Sequence, residues 1–274
     1  MEKVITGVSM NLHGLASINV ELTSRCDKSC WMCGRRKIER DHPEKANWGD
    51  MPIGMVADIA SQTPPGITVQ LHNNGEPLLY PDLKKAIDLF HKQITGLDTN
   101  AKLLLERAQD IWQLDTLTIS IIQDDDEGVE QFEIVKKYLD MYPFMNRPLV
   151  VFRLLGMVEN GHAWRKLAQE NDCLIAERTL HDPMGSRKYE TPRTVPEMGI
   201  CLEVLHKLSI DRYGNVSPCV RFDPEGYGVL GDMRDGLEIL WNGAHRQKLI
   251  RDHSMALRSI NPLCKECEYW GLPS

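Results

Sequence analysis

The chain lacks any apolar run near the roughly eighteen residues that a membrane-spanning helix needs. Its first residues, Met-Glu-Lys-Val-Ile-Thr-Gly, carry no apolar core of a secretory signal, so the expectation is a cytoplasmic protein with no membrane partner. Basic charge is also short. Lys and Arg number 32 against 39 Asp and Glu, a net charge of -7. Neutralising a phosphate backbone takes a concentrated basic face, which excludes nucleic acid as the main partner. One local cluster, Arg35, Arg36, Lys37 and Arg40, has two readings: solvated surface, or a dock for an acidic electron donor or an anionic substrate. What is present is ordinary for a globular protein, at 42% hydrophobic and 26% charged residues. The length of 274 residues allows one large α/β domain with a small appendage.

Eight cysteines in such a chain do not read as a disulfide framework, because the cytoplasm keeps thiols reduced. They fall into a trio (Cys26, Cys30, Cys33), a lone Cys173 and a quartet (Cys201, Cys219, Cys264, Cys267). The trio follows the short apolar run Ile18–Leu22 and so reads as a loop at the end of a strand. Three thiolates are one short of a closed zinc or iron-sulfur site, so another ligand completes the set or the trio is half a zinc site.

Along the chain, strands are expected at 17–23, 67–72, 94–100, 117–122, 149–155 and 173–179. Helices are expected at 52–62, 82–91, 101–113, 127–141 and 160–170, with 34–49 a loop. Strand followed by helix, repeated in this way, argues for a buried parallel sheet. Arg153 stands in an otherwise apolar strand and needs an anion if it points inward; a ligand carboxylate and a salt bridge to a helix are both open. The acidic run Asp124–Glu127 suits the start of the following helix. After a connector at 181–199, alternating segments flank the turn Tyr213-Gly214-Asn215, and a helix is expected at 237–252 before Cys264-Lys265-Glu266-Cys267. The four thiols of the quartet suit either zinc or a 4Fe-4S cluster.

The spacing C-x3-C-x2-C, with Trp31 directly after the second cysteine and a strand before it, resembles the signature of the radical S-adenosylmethionine (SAM) superfamily. The resemblance implies that Cys26, Cys30 and Cys33 hold three irons of a 4Fe-4S cluster. S-adenosyl-L-methionine then chelates the fourth. Asn74-Gly75-Glu76-Pro77 resembles the superfamily's GGEP motif with Asn74 for the first glycine, and implies Asn74 and Glu76 near the SAM amino group. Asparagine tolerates positive φ better than most residues, and a carboxylate accepts from an ammonium. Asn100 and Ser120 are implied at the SAM ribose or carboxylate, and Arg153 at the carboxylate.

The order C-x12-G-x4-C, helix, C-x2-C is similar to the SPASM/twitch region of radical SAM enzymes. No cysteine follows Cys267, so one auxiliary 4Fe-4S cluster is expected, two clusters in all. The implied fold is α/β: a partial (β/α)6 TIM-like barrel over 1–180 and a small twitch/SPASM-like β-hairpin plus helix domain over 200–274, with the chemistry at the C-terminal strand ends. In layout the whole chain is similar to the twitch-bearing dehydrogenases acting on 2-deoxy-scyllo-inosamine. The shared pieces are Cys30-Trp31-Met32-Cys33, Gly214-Asn215-Val216-Ser217-Pro218-Cys219, Trp241-Asn242 and Leu263-Cys264-Lys265-Glu266-Cys267.

The implied activity is a radical SAM oxidoreductase that makes a 5′-deoxyadenosyl radical, abstracts hydrogen from a small polar, carbohydrate-like molecule, and uses the auxiliary cluster as electron acceptor. The implied partners are that substrate and a reductant such as flavodoxin or ferredoxin. Arg178 is a candidate to hold the substrate, against a plain surface ion pair, and Arg221, two residues past Cys219, could also face the substrate cavity. Cys173 is either the hydrogen donor of a redox-neutral epimerase or a small buried hydrophobe. Ribosomal-peptide modification is the alternative enzyme reading, against which no leader-capturing N-terminal domain is seen. An iron-sulfur or zinc scaffold is the non-enzyme reading, since shared machinery does not fix function.

Overall fold

Apolar strands alternate with helices that carry one apolar face, and the chain folds accordingly. The structure is a computed structural model that describes residues 11–178, 199–265 and 267. The first half runs β1 (Ser17–Val20), α1 (Arg35–Asp41), α2 (Ile53–Gln62), β2 (Thr68–Gln70), α3 (Leu83–Leu89), β3 (Ile94–Thr99), α4 (Leu104–Arg107), β4 (Thr116–Ile122), α5 (Gly128–Met141), β5 (Leu149–Leu155), α6 (Gly161–Glu170) and β6 (Leu174–Arg178). Then follow α7 (Leu202–His206), β7 (Lys207–Ile210), β8 (Asn215–Ser217), β9 (Gly231–Asp232), α8 (Leu237–Asn242), α9 (Ala244–Ser254) and α10 (Pro262–Lys265). Of the expected connector, 181–199, all but Gly199 lies outside the described residues.

One nine-stranded sheet has the order β6-β5-β4-β3-β2-β1-β7-β8-β9. Strands β1 to β6 are all parallel, as in a partial (β/α)6 barrel, so their C-terminal ends share one edge. The second cysteine region is not a separate layer. Its strand β7 adds parallel to β1, from Ser17↔Lys207 to Val20↔Ile210, and β8 and β9 continue antiparallel. A buried apolar strand such as β1 leaves an edge of unpaired backbone groups, and β7 satisfies it.

Strand β5 shows how the two faces divide. Val150, Phe152 and Leu154 are buried, while Leu149, Val151, Arg153 and Leu155 on the opposite face are only half-buried. On the helix side, Trp164 of α6 meets Phe152 edge-on at 5.1 Å and Phe132 of α5 at 4.9 Å. Such contacts add to the burial of large rings. The other face lines the cavity described below.

Three expected elements differ. The stretch 34–49 is not all loop: α1 begins two residues after Cys33, with Arg36 and Lys37 N–H groups bonded to Cys33 O and Gly34 O. Its sequence, RRKIERD, holds one apolar residue and gives no periodic signal; an Arg36–Glu39 pair at 2.9 Å supports it instead. The helix expected at 101–113 is cut to α4, because Ala101 is left-handed (φ 67°) and Asn100 Oδ1 accepts from Lys102 N–H, which spends these residues on a turn. The helix expected at 237–252 is two, broken at Gly243, where a Cβ would lie 2.9 Å from Ile239 O. Among the described residues, no helix is long and apolar enough to cross a membrane.

Ile18 is fully buried between Val69 of β2 and Leu208 of β7, its register partners. Ile18→Ala should cost about 3 kcal/mol, seen as a lower urea midpoint, because the cavity opens where the two halves of the sheet meet.

Candidate functional site

The cysteine loop leaves β1 and is fixed by polar anchors at both ends. At its start, Arg25 forks onto Asp50 at 2.9 and 2.8 Å and donates to Leu79 O at 2.8 Å. Further along, Lys28 pairs with Asp125, both almost wholly buried, and lies 3.6 Å from Glu127. Lys102 also reaches Glu127 at 2.9 Å, Asn100 Nδ2 donates to Asp27 at 2.8 Å, and Trp31 Nε1 donates to Gln123 O at 3.0 Å. The acidic run that seemed explained by its helix therefore also clamps the thiol loop.

The Asn73–Glu76 turn packs directly on that loop. Glu76 N–H donates to Arg25 O at 2.8 Å. A Cβ at Gly75 would sit 2.1 Å from Thr23 O and 2.7 Å from Arg25 O, so only glycine fits this approach. The Glu76 carboxylate is buried and accepts from Leu78 N–H (3.0 Å), Thr99 Oγ1 (2.8 Å) and Asn100 N–H (2.7 Å). Three of its four lone-pair positions are thus taken by protein, and the carboxylate chiefly ties the turn to the end of β3. The side-chain oxygens of Asn73 and Asn74 are buried without a partner.

Below the turn, Arg153 on β5 points inward, as its apolar surroundings allowed, but its anion is already present. Asp98 of β3 pairs with Arg153, and His72 Nε2 lies 3.3 Å from the same carboxylate oxygen. Burial pushes the His72 pKa down, against the pull of Asp98. Asp98 stays below its ordinary value despite burial, because His72 and Arg153 favour its charge. His72 and Asp98 were missed in the sequence; a carboxylate and a basic residue at neighbouring strand ends were the available signal.

These pieces meet in one cavity of about 320 Å³. Cys26, Cys30 and Cys33 line one side, and Asn74, Glu76, Asn100, Ser120 and Arg153 also line it. Val220, Arg221 and Phe222, just after Cys219, close it from the second cysteine region. Burial pushes the thiols up, Cys30 to about 12 with Cys33 and Cys26 adding to the effect. Such thiols ionise only around a cationic group, which is what an iron-sulfur core supplies. Among the described residues, no three His, Cys, Asp or Glu side chains stand close enough to share one metal ion. The trio instead faces a space sized for a larger group, and the buried Arg35 Nε and Nη1 beside it have no partner. The donors present fit a cluster with a further ligand.

The quartet also gathers. The Cys264 thiol is pushed up to about 12 by burial, then by Cys267 and Cys201, and Cys219 is raised by burial and by Cys264. Arg221 Nη1 donates to Cys267 Sγ at 3.3 Å, and Arg258 donates to Cys267 O at 3.3 Å and to Cys264 O. A second, more polar cavity of about 620 Å³ has Cys219 on its wall and shares Asn73, Asn74, Arg221 and Phe222 with the first. Phe222 also roofs the first loop, since a Cβ at Gly34 would lie 2.4 Å from its ring.

Two expected substrate residues lie elsewhere. Cys173 precedes β6 at the N-terminal edge of the sheet, beside Asn171 O (3.5 Å) and Arg147 (3.6 Å), and so cannot serve as hydrogen donor at the C-terminal edge. Arg178 is exposed at the end of β6 and is not among the residues lining either cavity.

Glu76 carries a pH prediction. Burial raises its pKa from 4.5 to about 7, so its folded-state protonation adds stability below about pH 4.5 that is lost as pH rises through about 7. The full effect is about 3 kcal/mol. Melting temperatures should fall across this window in the wild type and stay flatter in Glu76→Gln.

The SPASM family, described as an iron-sulfur cluster-binding domain, matches residues 201–268. No curated protein matches the chain by sequence. Among solved structures, BtrN in complex with AdoMet and 2-DOIA is 17% identical, with 92% of each chain covered and a TM-score of 0.68. Streptococcus suis SuiB bound to S-adenosylmethionine is 14% identical, with 93% of this chain and 72% of that chain covered and a TM-score of 0.64. The chain thus shares its fold with BtrN and SuiB, and its C-terminal region matches the SPASM iron-sulfur cluster-binding domain over residues 201–268.

Proposed function

We propose that the protein is a radical SAM dehydrogenase that oxidises a hydroxyl- or amine-bearing carbon of a small polar, carbohydrate-like molecule. The observation that carries this reading is the shared cavity: one space is bounded by the three N-terminal thiols and by the residues directly after Cys219. A substrate held there would sit between the two cysteine sets. The ligands of BtrN, AdoMet and 2-DOIA, and of SuiB, S-adenosylmethionine, support the cofactor and the substrate class by likeness of fold.

Cys26, Cys30 and Cys33 would hold the first cluster, with Asn74, Asn100, Ser120 and the carbonyls of the Asn73–Glu76 turn around the cofactor. S-adenosylmethionine, when bound, supplies a carbon–sulfur bond that one-electron reduction cleaves to give a hydrogen-abstracting radical. The quartet, when loaded, supplies an electron acceptor, because four cysteines leave its cluster no open site for Lewis-acid chemistry. The chain's own part is alignment and charge. Arg153, fixed by Asp98 and His72, holds a substrate hydroxyl against the cavity wall, and Phe222 and Val220 keep water out. In total the substrate loses two hydrogens, one as an atom and one as a proton with its electron, and a hydroxyl-bearing carbon becomes a carbonyl, an amine-bearing one an imine. A flavodoxin or ferredoxin suits the one-electron supply.

Anaerobic reconstitution should give about eight irons per chain. Dithionite with S-adenosylmethionine should release 5′-deoxyadenosine, and 2-deoxy-scyllo-inosamine as probe should yield one carbonyl product per cofactor consumed. Cys30→Ala should abolish cofactor cleavage. Cys201→Ala should retain it yet lose carbonyl formation; retention of both, or zinc in the quartet, contradicts the dehydrogenase reading.

A further inference from the structure

Among the described residues, Arg35 finds no counter-charge. It opens α1, two residues after Cys33, yet it is only 5% exposed, unlike the solvated surface expected of its basic cluster. Its guanidinium lies 4.1 Å over the Trp48 ring, and Nε and Nη1 are buried with no hydrogen-bond partner. The nearby acids are spent: Glu39 on Arg36 at 2.9 Å, Asp41 on Arg40 at 2.7 Å and Asp50 on Arg25 at 2.8 Å. Stacking on an aromatic face offsets part of the cost of burying a cation, but an unpaired buried charge still costs several kcal/mol. Something anionic must compensate it.

The geometry narrows what that is. Arg35 is the second residue after Cys33 at the start of α1, the N–H of the next residue bonds to Cys33 O at 3.0 Å, and the Arg35 charge is close enough to act on both Cys33 and Cys26. In a loaded site, thiolates and sulfides outweigh the iron charge, and reduction adds one more negative charge. We propose that Arg35 is the counter-charge of the N-terminal cluster: it stabilises the loaded loop and raises the cluster's reduction potential by favouring the reduced state. The inference rests on the cofactor reading above, and adds to it a positioning residue that holds charge while touching neither substrate nor iron. Arginine suits the role, because its planar group stacks on Trp48 and cannot shed its proton.

The test is an anaerobic potentiometric titration followed by electron paramagnetic resonance. It tracks the signal that changes when S-adenosylmethionine is added, in the two-cluster wild type, Arg35→Lys and Arg35→Met. In Arg35→Met the reduced-to-oxidised ratio at the wild-type midpoint should fall about tenfold, while Arg35→Lys stays near wild type. An unchanged midpoint in an iron-replete Arg35→Met overturns the proposal. If Arg35→Met loses iron from this site and Arg35→Lys keeps it, the charge is again what matters. If both lose it equally, Arg35 serves only to pack against Trp48 and the proposal falls. A wild type with no cofactor-responsive signal refutes the cofactor reading itself, which is a separate result.

Discussion

The parallel pairing of β1 with β7 is the constraint on which the arrangement depends. Four register pairs make this joint, and it sets the β7–β8 hairpin against β1, with the segment just after Cys219 lining the same cavity as the thiols that follow β1. The joint continues past the strands. Glu21 N–H donates to Ile210 O at 2.9 Å, and the buried Glu21 carboxylate accepts from Arg212 N–H at 3.1 Å. Burial holds the Glu21 carboxyl above its usual range, so this contact is one between largely desolvated groups.

Around that joint, the thiol loop is held mainly by backbone approach and by charge. Gly75 lets the second turn lie against the carbonyls of the first, and buried Lys28 draws the loop to the start of α5. Removing one member of a buried pair leaves the other uncompensated, so these contacts fix geometry more than they add stability. Contacts of this kind hold the three thiols in place before anything binds between them.

The strands and the cysteine groups were legible because their signals are local. Apolar runs bounded by turn residues marked β1 to β5 within a few residues, and the thiol spacings stand in the sequence itself. What was hidden depends on pairs far apart in the chain. Lys28 and Asp125 are 97 residues apart, and Arg153 and Asp98 are 55. Arg153 showed that it needed an anion but not which one. Helix α1 was hidden for another reason: its stability comes from side-chain pairs and from Cys33 O, and its single isoleucine gives no period. Cys173 was ambiguous until strand direction placed it at the wrong end of β6.

The ring of Phe222 lies on Gly34 from across the joint, so the roof of the first thiol loop belongs to the other half of the molecule. Any breathing motion that parts the halves therefore exposes the half-buried sulfurs further. The fit of one aromatic ring over one glycine then sets how far dioxygen can reach the N-terminal thiols.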